Sequence, residues 1–119
     1  MKLPYRKNYY VPKEKLTKYL LERTHTQGKS KANFFLMMGF GNETLGLLEI
    51  VLTNLALNGD VIKIQDTQYG RNYVISGLIL TPKKRKVSIT TVWTIDKGDK
   101  KPRFVTAYPL KRKFYKGSV

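Results

Sequence analysis

The apolar period of the sequence changes at Asp60, and this change constrains the fold more than any other feature. Before Asp60, apolar residues recur at helical spacing, most densely in ETLGLLEIVLTNLAL (43–57). After Asp60 they alternate with polar residues, which is the two-residue period of β-strands. Helices followed by strands with short connections favour an α+β domain, in which helices pack on one face of an antiparallel sheet.

The first half of the chain is predicted to hold two or three helices. Pro12 suits the first turn of a helix, and THTQG interrupts the helical pattern that follows it. A second helix is predicted over about 30–38. The apolar stretch 43–57 is predicted to be a buried central helix that ends at the Asn58-Gly59 pair.

Four strands are predicted in the second half, and together they form an antiparallel meander. Their sequences are DVIKIQDT (60–67), RNYVISGLIL (71–80), KVSITTVWTID (86–96) and RFVTAYP (103–109). The chain is therefore predicted to be a single domain over 1–119. Residues 1–11 are predicted to be an arm or short edge strand, and 110–119 a basic tail.

The charge of the chain indicates a polyanionic partner. Lys and Arg number 23 against 8 Asp and Glu, a formal net charge of +15, and nucleic acid is the commonest partner of such a domain. An acidic protein or an anionic membrane is the alternative. An exposed hairpin loop that attracts the phosphate backbone of a nucleic acid is predicted at Lys83, Lys84, Arg85 and Lys86.

Composition also narrows the classes of site and the location. The chain has no cysteine and one histidine, which excludes disulfides and thiolate metal sites and argues against zinc. Its amino-terminal residues lack the apolar core of a secretory signal, and no stretch approaches the length of a membrane span. We therefore expect a soluble protein that acts in the cytoplasm.

The segment THTQGKSK (24–31) contains the histidine. It ends like a phosphate-binding loop, but that motif needs a glycine where this chain has Arg23. The motif also follows a strand, whereas this segment follows a predicted helix. His25 is the side chain that exchanges protons most readily near neutral pH. Lys29 and Lys31 add fixed positive charge, so the segment has groups suited to metal-independent cleavage of a phosphodiester. The alternative is a solvated histidine beside lysines that merely hold phosphate.

The last predicted strand combines an arginine with two hydroxyl side chains. In a regular strand Thr106 and Tyr108 lie on the same face as Phe104, and Arg103 lies on the opposite face. Trp93 on the preceding strand is predicted to lie beside the two hydroxyls if the register agrees, where it offers a stacking surface for an RNA base. The alternative is that these are ordinary strand-forming residues and that Trp93 belongs to the core.

Three segments together resemble a family of small basic domains of unknown function that occur in bacterial and phage-associated toxin-like proteins. They are HTQGKSKANFF (25–35), TTVWTIDKG (90–98) and PRFVTAYP (102–109), and the resemblance spans about 11–109. The order of helices and strands is similar to the ribonuclease fold of barnase, EndoU-type nucleases, several colicins and contact-dependent toxins, and RelE-type interferases.

The resemblance implies a role for each matching residue. His25 is expected to be the general acid or base and Lys29 the cation that stabilises the transition state. Thr106 is expected to position the scissile phosphate, and Tyr108 to assist proton transfer or stack on a base. Arg103 is expected to contact a further phosphate. The sequence departs from EndoU and barnase in that the second proton-transfer group is not evident.

These observations lead to three hypotheses. The first is a toxin-type endoribonuclease that uses neither metal nor cofactor, cuts tRNA, rRNA or mRNA to leave a 2′,3′-cyclic phosphate, and is neutralised by an acidic antitoxin or immunity protein. The second is a non-catalytic nucleic-acid-binding module. The third is an interaction domain of a phage particle or toxin assembly whose partner is an acidic protein.

Overall fold

The structure, a computed structural model, describes residues 1–20 and 34–110. Within this part, short helical segments and one long helix precede a four-stranded antiparallel sheet. The predicted α+β architecture with helices on one face of the sheet is confirmed. None of the helices in the described part combines the length and the apolar character that crossing a membrane requires.

Apart from a 3₁₀ turn near the amino terminus, the helical segments lie in or beside the stretches predicted to be helical, and residues 30–33 of the predicted second helix lie outside the described part. The segments are a 3₁₀ turn at Arg6–Asn8, an α-helical start at 13–14 that continues as a π-helix over Lys15–Leu20, a helical turn at 34–37, a 3₁₀ turn at Asn42–Thr44, and the central helix α1 at Leu45–Asn58. The predicted stop of α1 is confirmed, since the Gly59 N–H donates 2.8 Å to the carbonyl of Leu55. At its start, the Gly41 N–H donates 2.8 Å to the Thr44 hydroxyl.

The sheet has the predicted strands in sequence order. They are β1 (Val61–Thr67), β2 (Gly70–Leu80), β3 (Lys86–Asp96) and β4 (Arg103–Pro109), each antiparallel to its neighbour. The β1–β2 and β3–β4 connections lie at one end of the sheet, which we call the turn end. The β2–β3 connection, residues 81–85, lies at the other end, which we call the hairpin end.

The core lies between α1 and the face of the sheet that we call the helix face. Its largest fully buried side chains include Trp93, Phe104 and Phe35, and the Trp93 and Phe104 rings meet edge to face with centroids 5.3 Å apart. The Trp93 indole N–H donates 2.9 Å to the hydroxyl of Thr91. That hydroxyl in turn donates 3.0 Å to the carbonyl of Ile75, so the polar atoms of this buried chain are paired.

The amino-terminal residues also pack on this domain. Leu3 is fully buried in the core. The Tyr10 N–H donates 2.8 Å to the Pro102 carbonyl, and the Phe104 N–H donates 2.8 Å to the Tyr10 carbonyl. This isolated parallel bridge between Tyr10 and Arg103 covers the start of the β4 edge.

Candidate nucleic-acid interface

The second face of the sheet is rich in hydroxyl groups, and we call it the hydroxyl face. Side chains alternate along a strand and cross-strand partners share a face, so the pairing sorts these residues into four rows. From the turn end to the hairpin end the rows are Gln65, Asn72, Thr94 and Arg103; Lys63, Val74, Val92 and Thr106; Ser76, Thr90 and Tyr108; and Leu78, Ser88 and Leu110. Neighbouring rows are two residues, roughly 7 Å, apart along each strand.

Thr106 and Tyr108 lie in adjacent rows of this face, as the sequence predicts for two residues at strand spacing. Both side chains are half-buried, so solvent reaches them. Tyr108 is the cross-strand partner of Thr90, whose hydroxyl oxygen lies 2.7 Å from that of Ser76. Three hydroxyl-bearing residues therefore follow one another across three strands, next to the row of Thr106.

Arg103 shares the hydroxyl face with Thr106 and Tyr108, and the prediction that it lies on the opposite face is wrong. The register of β3 and β4 shifts after Val92, because Trp93 pairs with Phe104 while Val92 pairs with Thr106. Val105 is the extra residue of this β-bulge. The bulge turns Phe104 into the core and leaves Arg103 on the same face as the two hydroxyls.

Trp93 lies in the core and is 0% exposed. A base-stacking platform must present its ring to solvent, so the prediction that Trp93 contacts RNA is corrected by its burial. The predicted proximity of Trp93 to Thr106 and Tyr108 is likewise wrong, since Trp93 projects from the helix face. The residues of β3 beside the two hydroxyls are Thr90 and Val92.

The hairpin end of the sheet carries four consecutive exposed cations, Lys83, Lys84, Arg85 and Lys86. Buried Thr81 holds this loop closed: its N–H donates 2.9 Å to the carbonyl of Arg85, and its hydroxyl accepts 3.2 Å from the N–H of Arg85. Lys84 adopts a left-handed backbone conformation with φ 62°. The hydrogen bonds of Thr81 hold the backbone from which the four exposed cations project into solvent, where a polyanion can reach them.

The turn end has a mixed charge. Asp96 forms an ion pair with Arg103, with Oδ1 3.2 Å from Nη2. This carboxylate partly neutralises the positive charge of Arg103 on the hydroxyl face. Asp66 similarly forms an ion pair with Arg71, whose Nε–H donates a hydrogen bond to Oδ1 of Asp66. This hydrogen bond raises the pKa of the Arg71 guanidinium above its already high ordinary value. Two arginines of the turn end are thus paired with carboxylates, whereas none of the four cations of the hairpin end has an ion pair within residues 1–20 and 34–110.

His25, Lys29 and Lys31 lie outside the described residues. The described chain resumes at Phe34, which lines a cavity at the hairpin end together with Arg85, Lys86 and Ser88.

Sequence reasoning missed several polar residues of this face: Asn72, Ser76, Ser88, Thr90 and Thr94. Two of them form a close contact, since the Thr94 hydroxyl donates 2.6 Å to Oδ1 of Asn72. For the three residues of β3, Ser88, Thr90 and Thr94, a signal is present in the sequence. In KVSITTVWTID every second residue from Ser88 to Thr94 is Ser, Thr or Val, opposite an alternating set that contains Ile89 and Trp93.

Comparisons with known proteins give a family and a fold. The family model described as "Domain of unknown function (DUF6883)" matches residues 2–111. Among solved structures, a chain of the "Contact-dependent growth inhibition toxin - immunity protein complex from Klebsiella pneumoniae 342" is similar, with a TM-score of 0.69 and 16% sequence identity. The similarity covers 84% of this chain and 98% of that chain. The comparison with curated proteins finds no match.

Proposed function

The chain belongs to the DUF6883 family, whose function is unknown, and from its hydroxyl face we propose that it is a toxin-type endoribonuclease that cleaves RNA without a metal ion. The observation that carries the proposal is the arrangement of Thr106 and Tyr108. They lie in adjacent rows of a sheet face that is partly open to solvent. Arg103 lies at one end of this face and the cationic loop 83–86 at the other.

The charge distribution supports a path for the RNA strand along this face. The net charge of +15 attracts polyanions from solution. The cations of the hairpin end and Arg103 are separated by the rows of hydroxyl residues, which hydrogen-bond phosphate and sugar oxygens without reading sequence. Phosphates held at both ends place the intervening backbone over Thr106 and Tyr108.

The proposed reaction is an internal transfer of the phosphoryl group. The ribose 2′-oxygen attacks phosphorus as the P–O5′ bond breaks, which leaves a 2′,3′-cyclic phosphate and a 5′-hydroxyl. His25 accepts the proton of the 2′-hydroxyl, and the phenolic O–H of Tyr108 donates a proton to the leaving 5′-oxygen. Thr106 positions the scissile phosphate, while Lys29 stabilises the added negative charge of the transition state. Lys31 and Arg103 hold neighbouring phosphates.

The similar solved structure supports the toxin part of the proposal, because the complex that contains the matched chain is described as a toxin with its immunity protein. A toxin that cuts cellular RNA must be inhibited in the cell that makes it. A chain of net charge +15 is best bound by an acidic protein, since complementary charge speeds association and selects the partner. We therefore propose an acidic antitoxin or immunity protein as its partner, and the bacterial cytoplasm, where the RNA is, as its place of action.

The test is cleavage by purified protein, freed of any inhibitor, in EDTA with tRNA, rRNA and translated mRNA as substrates. We expect fragments that end in a 2′,3′-cyclic phosphate, and no cleavage by His25→Ala. Induction in a bacterial host should arrest growth with the unaltered chain and not with His25→Ala. Intact RNA at stoichiometric protein concentration would overturn the proposal.

The exposed cationic loop 83–86 also favours a second function, that of a nucleic-acid-binding module without catalysis. In that case His25→Ala binds RNA as tightly as the unaltered chain, and neither protein cuts it. Measuring binding and cleavage on the same RNA separates the two functions.

A further inference from the structure

A cavity of about 370 Å³ lies where the hydroxyl face meets the hairpin end. Its floor is the last row of that face: Leu78 pairs with Ser88 across β2 and β3, and the Leu110 N–H donates 3.1 Å to the Ser88 carbonyl. Its walls include Phe34, Pro109, Arg85 and Lys86. The volume lies within the usual range of small-molecule sites, about 300–1,000 Å³.

The lining has two chemically different parts. Phe34, Leu78 and Pro109 offer apolar surface, and Leu78 is 64% exposed although it is a large apolar side chain. The exposed Arg85 and Lys86 bring two positive charges to the same cavity, while Ser88 adds a hydroxyl. An apolar planar group joined to an anion matches both parts, and a nucleotide has this combination.

We propose that this cavity binds one nucleotide of the RNA, with the base against Phe34, Leu78 and Pro109 and the phosphate at Arg85 and Lys86. The inference rests on the proposed function, because it assigns this cavity to the same RNA strand. The row that contains Tyr108 is the next row along the face, roughly 7 Å from the floor of the cavity. The bound base therefore lies next to the row of Tyr108, the proposed proton donor, and its fit in the cavity sets the sequence preference of cleavage.

Mononucleotides test the cavity without any cleavage. In ¹H–¹⁵N NMR titrations, each of the four ribonucleoside monophosphates is compared with its nucleoside and with inorganic phosphate. We expect the monophosphates to shift the amide signals of Phe34, Ser88 and Leu110, at least one of them with a Kd about tenfold below those of its nucleoside and of phosphate. Shifts of similar size and affinity with phosphate alone would instead indicate a simple anion site and overturn the proposal.

Two leucines provide a matched pair of variants. Leu78→Ala removes an exposed apolar side chain from the floor of the cavity. Leu80→Ala removes a leucine of the same strand that is 53% exposed and does not line the cavity in the described part of the chain. We expect Leu78→Ala to weaken monophosphate binding about fivefold or more and to change the sequence preference of cleavage. Leu80→Ala should change neither. Equal effects of the two variants contradict the proposal.

Failure of this inference can be told from failure of the proposed function. If the chain cuts RNA but monophosphates leave the three amide signals unmoved, the cavity is not a nucleotide site and the endoribonuclease proposal stands. If monophosphates bind there but RNA stays intact, the cavity is a nucleotide site of a non-catalytic domain.

Discussion

The hydroxyl oxygens of Ser76 and Thr90 lie 2.7 Å apart at the centre of the hydroxyl face, and Thr90 is also the cross-strand partner of Tyr108. Thr90 is almost fully buried, with 4% exposure, whereas Ser76 and Tyr108 are half-buried. The row therefore has a buried, hydrogen-bonded centre beside two side chains that a ligand can reach.

Tyr108→Phe tests the proton-donor role that we propose. This substitution keeps the ring and removes the phenolic O–H, so we expect the single-turnover cleavage rate to fall by about 100-fold or more, the usual range of general acid catalysis. RNA binding should change little. Tyr69→Phe is the control, because Tyr69 is 72% exposed at the turn end and its hydroxyl has no proposed role. A cleavage rate retained by Tyr108→Phe assigns the proton transfer to another group.

Asp96→Asn tests whether the ion pair with Arg103 limits RNA binding. The Asp96 carboxylate lies 3.2 Å from the Arg103 guanidinium and competes there with a phosphate. We expect the variant to bind RNA more tightly at low salt, and the slope of log K against log salt to steepen by about 0.7, as for one added phosphate contact. The loss of this partly exposed pair should cost about 0–1 kcal/mol of folding stability.

The control for this change is Asp66→Asn, which breaks the ion pair of Asp66 with Arg71. Neither residue belongs to the hydroxyl face, since Asp66 and Arg71 oppose each other beside Gln65 and Asn72. The same change of net charge should therefore give a smaller gain in affinity. If both variants gain equally, the effect is one of net charge and not of Arg103.

Neutralising the hairpin loop should reduce the salt dependence of RNA binding. The triple variant Lys83→Ala, Lys84→Asn, Arg85→Ala removes three charges, and Asn is used because Lys84 has a φ of 62°, which Asn tolerates. We expect the slope of log K against log salt to fall by about 2, since each contact to single-stranded nucleic acid contributes about 0.7. The variant Lys97→Ala, Lys100→Ala, Lys101→Ala removes the same charge at the turn end and should change the slope less. Equal slopes for the two variants contradict a binding role for the loop.

Trp93→Phe should destabilise the fold without changing RNA affinity. The indole is fully buried and donates to Thr91, so the smaller ring leaves a cavity and removes a hydrogen bond. We expect a loss of about 1–3 kcal/mol in the free energy of unfolding, measured by urea denaturation. A binding titration at a temperature where both proteins are folded should give equal Kd values. Weaker RNA binding by the folded variant would indicate that Trp93 contributes to the RNA interface.

Gly70→Ala and Gly46→Ala should change stability in opposite directions. A Cβ on Gly70 would overlap the carbonyl oxygen of Ile95 and come 2.8 Å from the Asp96 Cα, so we expect a loss of about 1–3 kcal/mol. Gly46 lies in α1, and a Cβ added there would have no atom of another element within 4 Å in the described part of the chain. Alanine should stabilise that helix by about 0.5–1 kcal/mol. Thermal or urea denaturation of both variants checks the pair.

The sequence by itself determined the order and bounds of α1 and the four strands, together with the charge that indicates a polyanionic partner. These properties are local, because a helix or strand leaves its own apolar period in consecutive residues. The pairing of neighbouring strands followed as well, since their connections are short. The sequence also predicted that Thr106 and Tyr108 share a face, because side chains two residues apart on a strand point to the same side of the sheet.

Only the tertiary structure decided which residues accompany them. The bulge at Val105 depends on hydrogen bonds to β3, and it brought Arg103 to the hydroxyl face and sent Phe104 into the core. Burial of Trp93 in the core and the ion pair of Arg103 with Asp96 likewise depend on contacts between neighbouring strands. Strand register depends on the pairing between strands, and a shift of one residue moves a side chain to the other face. The register therefore cannot be predicted from the apolar period of a single strand.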